Sequence, residues 1–436
     1  MHPPTTRVES PPAPDPLLKP ERPSRRLRCA HYTAHMRLSS GGPVRMVLDL
    51  CGTLAARGHD VTLFTCDPAD VPSAWLAGEP RSPRVITLDS LNRFTKLLPR
   101  RSLSRIAQAL RGLDVLHLHG PWEVANIQYA RLARRINLPY LVTLHGTLDD
   151  WPMAQQSLKK QTYLSLAGRR LLEQAAAVQC TASAELEQAS KHFGHSRGVV
   201  LPCLMDLAPF ENLPGKEIAL AAFPDARTDL PKVLFLSRLH PVKRLEILIE
   251  SAAVLRDRGR PILLLIAGAG DADYVASLRR LVAARRLDDH VKFLGMVNGV
   301  GKVSLYQLAD VFVHPSSQEN FGLVLPEAMA ARTPVITTQS VGIWRDIQSV
   351  GATIVDPVTP NTLADAIDEI LRDPARRSEI ARDGRRWVFE NLSPDRLLAR
   401  YEALYAQVAD AAGKPPGPPL PIPHSPPTSP SHTHSE

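Results

Sequence analysis

Two carboxylates with seven residues between them are the most informative chemical groups in the sequence. Glu319 and Glu327 bracket a turn that contains Gly322, and a helix is predicted over 325–331. The N-terminus of a helix presents unpaired backbone N–H groups, which favour an anion. Because two acids repel a bare phosphate, we expect these carboxylates to accept hydrogen bonds from hydroxyl groups instead. The stretch 309–338 therefore indicates a ligand with phosphate and sugar hydroxyls, such as a nucleotide sugar.

A basic pair lies in a second loop of the same half of the chain. Arg238 and Lys243 are five residues apart and follow the predicted strand 233–237. Arginine contacts phosphate with two parallel hydrogen bonds, and lysine supplies a mobile point charge, so the pair suits a diphosphate leaving group. Taken alone, it would be interpreted as a solvated surface loop.

Two weaker motifs lie in the first half. Gly41 and Gly42 separate the predicted strand 27–32 from the predicted helix 43–57, and they would let backbone approach a ligand closely. They lack the GxGxxG pattern of dinucleotide sites, and an ordinary tight loop explains them equally well. His145 follows the strand 140–144, at the end of the sheet where open α/β folds bind ligands. A lone histidine at such a place is more often structural.

The elements that would position these residues alternate between strands and helices. Strand patterns in the first half occupy 27–32, 61–65, 114–118, 140–144 and 177–180. A proline-punctuated stretch at 202–230 follows, and a second series of strands and helices begins at 233–237. This alternation predicts two α/β domains with parallel sheets, connected through 202–230.

Composition is that of a soluble globular protein, with 44% hydrophobic and 22% charged residues among 436. Of the 40 prolines, 17 fall in the end segments 1–25 and 414–436, whose composition predicts disorder. The formal charge of +8 indicates an anionic partner without choosing between nucleotide, nucleic acid and membrane surface.

Several classes of protein and site are disfavoured. The N-terminal segment lacks the apolar core of a signal peptide, and no apolar run reaches the ~18 residues that a membrane-spanning helix needs. The five cysteines show no CxxC pair, which indicates reduced thiols and a cytoplasmic protein. Asp271 and Asp273 resemble a metal-chelating DxD, but their place after a glycine-rich turn favours a helix cap.

Taken together, four motifs resemble the retaining glycosyltransferases of family 4: Glu319-x7-Glu327, Ser237-Arg238-Leu239…Lys243, Ser40-Gly41-Gly42 and TLHG at His145. The resemblance covers about residues 27–412. It implies an α/β protein of the GT-B fold, in which two Rossmann-like, doubly wound parallel-sheet domains face each other across a cleft. The expected segments are a disordered tail at 1–25, an acceptor-side domain at 26–210, a nucleotide-sugar donor domain at 211–392, a helix returning to the first domain at 393–412 and a second tail at 413–436.

The resemblance also implies roles for the site residues. The catalytic set would be Glu319 at the hydroxyls of the transferred sugar, His145 near the reacting centre, and Arg238 and Lys243 at the diphosphate. Glu327 would hold the ribose. The other implied donor-binding positions are Gly41, Gly42, Val297, Asn320, Phe321, Gly322, Leu323 and Val324.

The implied reaction moves a hexose from a nucleotide-diphosphate sugar to a hydroxyl of a glycan, lipid-linked or small-molecule acceptor. It retains the anomeric configuration, and neither a metal nor another cofactor is expected. Two alternatives stay open: another GT-B enzyme, such as a nucleotide-sugar epimerase or a sugar phosphorylase, and a catalytically silent nucleotide-sugar-binding protein. A phosphorylase should carry a pyridoxal lysine site, and none is evident.

Three places depart from the family pattern. Arg332 and Arg244 stand where the family usually or often has glycine, and 341–345 replaces a Gly-Gly-x-Pro-Glu loop. The loop leaves one wall of the donor pocket unpredicted, and with it the identity of the sugar.

Two basic segments without acids, within 90–112 and 151–172, carry a further hypothesis. They either dock on an anionic membrane surface, at the inner face of the plasma membrane, or form packed amphipathic helices with solvated basic faces.

Overall fold

A computed structural model describes residues 25–40, 42–149, 153, 157–193 and 197–411 of the chain. Gly41 and nearly all of both predicted tails lie outside the described residues. The described chain forms two α/β domains, each with one parallel sheet. The fold class predicted from the sequence is therefore confirmed, while the predicted domain boundaries stay a prediction.

The first sheet has seven parallel strands in the order β3-β2-β1-β4-β5-β6-β7. The chain builds outward from β1 to β3 and then reverses at β4, the doubly wound topology that places ligand sites at the reversal. The edge strands β3 and β7 were not predicted, because they are short and only partly buried, and each contains only two consecutive apolar residues. The strands are β1 (Arg28–Tyr32), β2 (Asp60–Thr65), β3 (Arg84–Thr87), β4 (Val115–His119), β5 (Tyr140–Thr143), β6 (Ala177–Cys180) and β7 (Gly198–Val200).

The second sheet has six parallel strands in the order β10-β9-β8-β11-β12-β13, with the same reversal between β8 and β11. Its central strands are buried on both faces, as parallel strands covered by helices must be. The strands are β8 (Lys232–Leu236), β9 (Leu263–Ala267), β10 (Val291–Gly295), β11 (Val311–His314), β12 (Val335–Thr338) and β13 (Thr353–Val355).

Helices cover both faces of each sheet. Those of the first half are α1 (Gly42–Ala56), α2 (Ser73–Leu76), α3 (Arg100–Ala109), α4 (Val124–Arg135), α5 (Ser157–Tyr163), α6 (Arg169–Glu173) and α7 (Ser183–Ala189). A π-helical turn, Leu164–Gly168, joins α5 to α6. Those of the second half are α8 (Ala208–Glu211), α9 (Glu217–Ala222), α10 (Leu245–Asp257), α11 (Ala272–Ala284), α12 (Gly299–Leu308), α13 (Val324–Ala330), α14 (Trp344–Gln348), α15 (Pro360–Arg372), α16 (Pro374–Asn391) and α17 (Pro394–Asp410).

Two helices of the second half begin in different ways. The helix α12 begins at Gly299 and includes two glycines, residues that disfavour a helix interior. The prediction that Asp271 caps a helix is confirmed. Its side chain accepts hydrogen bonds from the amides of Asp273 and Tyr274, at 3.0 and 3.1 Å.

The last helix, α17, leaves the second half of the chain and packs against the first sheet. Glu402 accepts a hydrogen bond from Nε2 of the buried His59 at 2.9 Å, and the hydroxyl of Tyr401 lies 2.6 Å from the amide nitrogen of Gln179 on β6. The helix thereby connects the two domains. Among the described residues, no helix is long and apolar enough to cross a lipid bilayer.

Candidate active site

The centre of the site is a direct contact between Lys243 and Glu319. The Lys243 ammonium donates a hydrogen bond to the Glu319 carboxylate, and the lysine is almost fully buried. Two loops meet here because the carbonyl of Val242 accepts hydrogen bonds from the amide of Ser317 at 2.8 Å and from its hydroxyl at 3.0 Å. The loop after β8 and the loop after β11 are therefore fixed to each other at the reversal point of the second sheet.

Glu319 is held as an ionised acid. Nε2 of the fully buried His314 lies 3.4 Å from Glu319 Oε2, next to the Lys243 ammonium. Burial alone raises the pKa of Glu319, but His314 and Lys243 outweigh burial and lower that pKa to about 2. The side chain keeps 28% of its surface exposed. An ionised and accessible carboxylate can accept hydrogen bonds from two neighbouring hydroxyl groups.

The backbone of Glu319 is fixed by the loop after β12, the loop that departs from the family pattern. The Glu319 amide donates to the Ser340 carbonyl, and the Glu319 carbonyl accepts from the Gly342 amide, each at 3.0 Å. A Cβ on residue 342 would lie 1.8 Å from the carbonyl oxygen of Asn320, so glycine is required here for close approach. Gly342 therefore holds Glu319 and Asn320 in place.

The turn between Asn320 and α13 carries unpaired backbone donors. Within the described residues, the amides of Phe321, Gly322, Leu323 and Val324 donate to no other group. Gly322 has a φ of +79°, and a Cβ there would lie 2.7 Å from Val341 Cγ1. The four amides lie next to Glu319 in the chain, so an anion bound by them would be close to the Lys243–Glu319 pair.

Glu327, predicted to hold a ribose, has both carboxylate oxygens paired within the protein. Lys302 Nζ donates to Oε1 at 2.7 Å, and the buried Tyr306 hydroxyl donates to Oε2 at 2.9 Å. Both partners lie on α12, and neither was singled out in the sequence. A carboxylate oxygen has a second lone pair, so each can still accept a hydrogen bond from a ligand hydroxyl.

His145 is brought to the site by the loop after β5. His145 is buried and its backbone adopts a left-handed conformation, with a φ of +55°. Beside it, the Gly146 amide donates to the buried carboxylate of Glu185, which also accepts from the Thr181 hydroxyl at 2.8 Å. Thr181 Oγ1 also lies 3.0 Å from Asn320 Oδ1, and a Cβ on Gly146 would lie 2.8 Å from the same oxygen. The His145 loop of the first domain therefore lies directly against Asn320 of the second.

Arg238, Val297 and Gly42 make fewer contacts with the other predicted site residues. Arg238 is exposed and makes no hydrogen bond or ion pair to any described residue. Its loop is set by two glycines: a Cβ on Gly268 or Gly270 would lie 1.9 and 2.1 Å from backbone carbonyl oxygens of the Arg238 loop. Val297 is half-buried, and a Cβ on Gly42 would meet no described atom within 4 Å.

A group of buried histidines in the first domain was largely missed in the sequence. His31 on β1 lies opposite His117 on β4, and His119 follows on the same face two residues later. Alternation of histidine in the run LHLH was the available signal, because residues two apart in a strand share a face. Ligand atoms of these three side chains lie within 4.8 Å of one another, so a metal ion would find nitrogen ligands here. Glu185 was also missed, and no pattern of spacing distinguishes it.

Two family models match the chain. The model for the glycosyl transferase 4-like domain matches residues 41–203, and the model for glycosyl transferases group 1 matches residues 220–387. The second match contains both carboxylates and the Arg238–Lys243 loop, and the first contains Gly42 and His145.

Among curated relatives, a D-inositol 3-phosphate glycosyltransferase of Pseudarthrobacter chlorophenolicus is 28% identical over 365 residues, which are 79% of this chain and 85% of that protein. An alpha-D-kanosaminyltransferase of Streptomyces kanamyceticus is 35% identical over 155 residues, covering 35% and 39% of the two chains.

Solved structures share the fold. A sucrose-phosphate synthase from Thermosynechococcus elongatus superposes with a TM-score of 0.70 at 27% identity, over 88% of this chain and all of that one. The Anabaena protein Alr3699/HepE, solved in complex with UDP and glucose, superposes with a TM-score of 0.68 at 18% identity, over 87% and 99% of the two chains. The chain belongs to the glycosyl transferases group 1 and is a glycosyltransferase with the GT-B fold.

Proposed function

We propose that this glycosyltransferase moves a hexose from a nucleotide-diphosphate sugar to an acceptor hydroxyl with retention of anomeric configuration. The observation that carries the proposal is the contact between Lys243 and Glu319 beside the four unpaired amides of 321–324. A cation and free N–H groups suit a diphosphate, and an ionised carboxylate at the same place suits sugar hydroxyls.

Each predicted site residue then has one task. Lys243 and Arg238 neutralise the diphosphate, with the amides at the start of α13 and the backbone at Gly41 and Gly42. Glu319 binds hydroxyls of the transferred sugar, and Glu327 binds the ribose. His145 lies beside the reacting centre, held there by the contact of its loop with Asn320. Val297 borders the base.

The proposed step is a same-face transfer. The bond between the anomeric carbon and the phosphate oxygen breaks, and its electron pair stays on the phosphate. The acceptor oxygen forms a bond to the anomeric carbon on the same face, and its proton passes to the leaving phosphate. Lys243 and Arg238 stabilise the charge that builds on the diphosphate, which is where electrostatic stabilisation lowers the barrier most.

We further propose that transfer needs no divalent cation, because Arg238, the Lys243 ammonium and the four amides of 321–324 supply the hydrogen-bond donors and positive charge that a metal would bring to the diphosphate. With purified full-length protein, turnover should be unchanged after exhaustive treatment with EDTA. Loss of turnover on chelation, restored by magnesium or manganese, would contradict this part of the proposal.

The deciding experiment combines binding with turnover. A thermal-shift screen with UDP, GDP, ADP and their sugars should identify one base that stabilises the protein. With that donor, an acceptor panel that includes D-inositol 3-phosphate, chosen because relatives carry that name, should yield a glycoside with the donor's configuration by NMR. Glu319→Ala should abolish turnover and keep the circular dichroism spectrum, while Glu369→Ala, at an exposed acid of the same domain, should change neither.

Other outcomes of that experiment favour the alternatives. Conversion of the donor to its epimer without an acceptor would indicate an epimerase. Transfer to inorganic phosphate would indicate a phosphorylase. A tightly bound donor with no turnover across the whole panel would indicate a nucleotide-sugar-binding protein and would overturn the proposed reaction.

We also propose that the first domain makes a peripheral contact with an anionic membrane surface. Three apolar side chains near its basic segments are strongly exposed: Phe94 at 88%, Leu158 at 81% and Leu166 at 79%. The apolar side of α3 itself packs inward, since Ile106 and Leu110 are fully buried, so docking would use the loop before α3 and the α5 region. Apolar side chains beside exposed arginines suit the interface of an anionic bilayer.

Vesicle sedimentation tests the membrane contact. The protein should sediment with vesicles that contain phosphatidylglycerol and not with pure phosphatidylcholine, and salt should release it. The double variant Leu158→Ser, Leu166→Ser should weaken sedimentation, whereas Leu76→Ser, at a half-exposed leucine on α2, should not. Sedimentation that is independent of anionic lipid and of salt would overturn the membrane contact and leave the proposed reaction untouched.

A further inference from the structure

A continuous chain of hydrogen bonds runs through the interior of the first domain and ends at His145. All of its members are buried, and they come from β1, β4, β5, β6, α17 and the loop after β5. In order from the far end, they are Tyr401, Gln179, Thr143, His117, Tyr405, His31, His119 and His145. None of the first seven touches the Lys243–Glu319 centre, and the proposed reaction assigns them no task.

A backbone carbonyl at the far end of this hydrogen-bonded chain decides which atom donates and which accepts in each bond. Gln179 Nε2 lies 2.9 Å from the carbonyl oxygen of Leu201, so this atom is the amide donor and Oε1 faces Thr143. Thr143 Oγ1 must therefore donate to Oε1, at 2.8 Å. A hydroxyl has one proton, so Thr143 has only an acceptor left for its other neighbour, Nε2 of His117 at 2.5 Å. His117 consequently carries its proton on Nε2.

The Tyr405 hydroxyl continues the same donor-to-acceptor order. A neutral His117 with its proton on Nε2 accepts at Nδ1, from the Tyr405 hydroxyl at 2.6 Å. That hydroxyl has then used its proton and accepts from Nε2 of His31, at 3.5 Å. The donor-to-acceptor order that begins at Leu201 therefore extends to His31 on β1 through Tyr405. This tyrosine lies on α17, the helix that returns from the second domain.

The last two hydrogen bonds join His31 to His119 and His119 to His145. His31 Nδ1 accepts from His119 Nε2 at 3.1 Å, and His119 Nδ1 accepts from His145 Nε2 at 3.3 Å. Nδ1 of His145 has no hydrogen-bond partner among the described residues and is not among the polar atoms buried without one. Every imidazole in the chain therefore donates through Nε2 and accepts at Nδ1, and the free acceptor at the end is Nδ1 of His145.

The chain requires that the four histidines be neutral, and burial makes them so. It lowers the pKa of His31 to about 3 and that of His145 to about 4, and it holds the pKa values of His117 and His119 well below the usual range. A positive charge at any of these rings would also replace an acceptor by a donor and break the one-way order.

A metal ion at His31, His117 and His119 is the alternative use of this cluster. All six ring nitrogens of these side chains already have a partner, and each partner is accounted for by the one-way order. Binding an ion would break at least two of these bonds and leave polar atoms unpaired in a buried place, which is costly. The hydrogen-bonded chain satisfies all of them without an ion.

We propose that this buried chain is a positioning device that fixes His145 as the Nε2–H tautomer, so that Nδ1 offers a hydrogen-bond acceptor to a hydroxyl of the bound substrate. Tyr405 is its key positioning residue, because its hydroxyl joins the half of the chain anchored at Leu201 to the half that ends at His145. The role of Nδ1 in transfer rests on the proposed function, whereas the tautomer itself does not.

Tyr405→Phe tests the device, since it removes one hydroxyl and keeps the ring. Without that hydroxyl, His31 loses the acceptor for its Nε2 proton, and the order of the two bonds that join His31, His119 and His145 can reverse. The matched control is Tyr129→Phe, at a fully buried tyrosine of the same domain whose hydroxyl has no partner. Thr143→Val, which is isosteric and removes the far anchor, serves as a second variant if Tyr405→Phe does not fold.

The readout is long-range ¹H–¹⁵N correlation NMR of the full chain labelled in histidine, with His145 assigned by its loss in His145→Gln. We expect the Nε2–H tautomer at His145 in the wild type and in Tyr129→Phe, and a mixture of tautomers in Tyr405→Phe. With a donor identified, Tyr405→Phe should lower kcat about fivefold, the loss of one neutral hydrogen bond, and leave KM for the donor unchanged.

Three results would overturn the proposal: an Nδ1–H tautomer at His145 in the wild type, an unchanged tautomer in both Tyr405→Phe and Thr143→Val, or a stoichiometric metal ion in the purified protein that His117→Asn abolishes. Because the NMR readout needs no substrate, a protein that turns over no nucleotide sugar but shows the expected tautomers would contradict the proposed function alone.

Discussion

The hydroxyl oxygen of Thr181 in the first domain lies 3.0 Å from the side-chain oxygen of Asn320 in the second, within hydrogen-bond distance. Asn320 follows Glu319 directly, and Thr181 shares the buried Glu185 carboxylate with the amide next to His145. Thr181 therefore joins the segment that follows Glu319 in the second domain to the His145 loop of the first. The positions of Asn320 and of the His145 loop are coupled through this contact.

Gly146→Ala should disturb that coupling. A Cβ on Gly146 would lie 2.8 Å from Asn320 Oδ1, so the two loops must move apart. We expect kcat to fall between about tenfold and about a hundredfold, the range for a small misplacement of catalytic groups. Gly78→Ala is the matched control, because Gly78 has a similar φ of +72° and an open surrounding. Both variants should lose about 1 kcal/mol of stability from backbone strain, and only Gly146→Ala should lose activity. Equal activity of the two would contradict the coupling.

The sequence was sufficient for the fold because strands buried on both faces leave an unambiguous apolar run. It failed at β3 and β7, two partly exposed edge strands that each contain only two consecutive apolar residues. For the site, the sequence singled out Glu319 and Lys243, and the structure places these two side chains in contact. The sequence could not predict that Gly342 fixes Asn320, because that constraint is a contact between loops 22 residues apart, visible only when the Cβ position is known.

The buried histidines show a second limit of sequence reasoning. His117 and His119 could be placed on one face of a strand, but their partners His31 and Tyr405 are 86 and 288 residues away from His117. No local pattern carries such a pairing, since it is created by strand order and by the return of α17. The departures Arg244 and Arg332, in contrast, are explained locally, because both residues adopt left-handed backbone, with φ of +53° and +65°.

Arg332→Gly should stabilise the protein. Arg332 is exposed, follows α13 and has no hydrogen bond to any described side chain, so its left-handed conformation carries a cost that glycine avoids. Its charge also lies near Arg385, whose pKa is lowered by burial and by Arg332. We expect the free energy of unfolding to rise by about 0.5–1 kcal/mol in urea titrations. Arg332→Ala removes the charge and keeps the strained backbone, so an equal gain in that variant would assign the effect to charge instead.

As the pH is lowered, the first domain should begin to lose stability at pH values above those at which carboxylates titrate. The unfolded chain binds protons at its histidines near pH 6.5, whereas the pKa of folded His31 is about 3 and that of folded His145 about 4. The histidines therefore contribute nothing to the pH dependence above about pH 7, and stability falls as pH drops through about 6.5, because the unfolded state then binds more protons.

Replacing one histidine should make that fall shallower. His31→Gln should reduce the slope of unfolding free energy by about one proton, which is about 1.4 kcal/mol per pH unit between about pH 6 and about pH 4. His35→Gln, at a side chain that is 58% exposed, is the control for a histidine-to-glutamine change at the surface. Urea titrations across this range measure it, and identical slopes for His31→Gln and the wild type would show that the buried histidines take up protons in the folded state.

Substitutions of Glu319 and of Glu327 should affect different steady-state constants of the enzyme. Glu319 is proposed to contact the sugar whose bond breaks, and Glu327 the ribose, which does not react. Glu319→Gln should therefore lower kcat by about a hundredfold or more, the scale of a lost electrostatic contact in the transition state. Glu327→Gln should raise KM for the donor by about tenfold to a hundredfold and keep kcat within about threefold, because a hydrogen bond to a charged group contributes equally in the ground and transition states when the group bound does not react.

The neighbours of Glu327 provide the control for this last pair. Tyr306→Phe removes the hydroxyl that donates to Oε2 and leaves the carboxylate in place, so it should lower stability and change KM for the donor little. Initial rates over a range of donor concentrations, at saturating acceptor, separate the two constants. A fall in kcat for Glu327→Gln with KM unchanged would place Glu327 at the reacting sugar. If Tyr306→Phe raised KM and kept kcat as Glu327→Gln does, the carboxylate would act by holding α12 in place and not by binding the ribose.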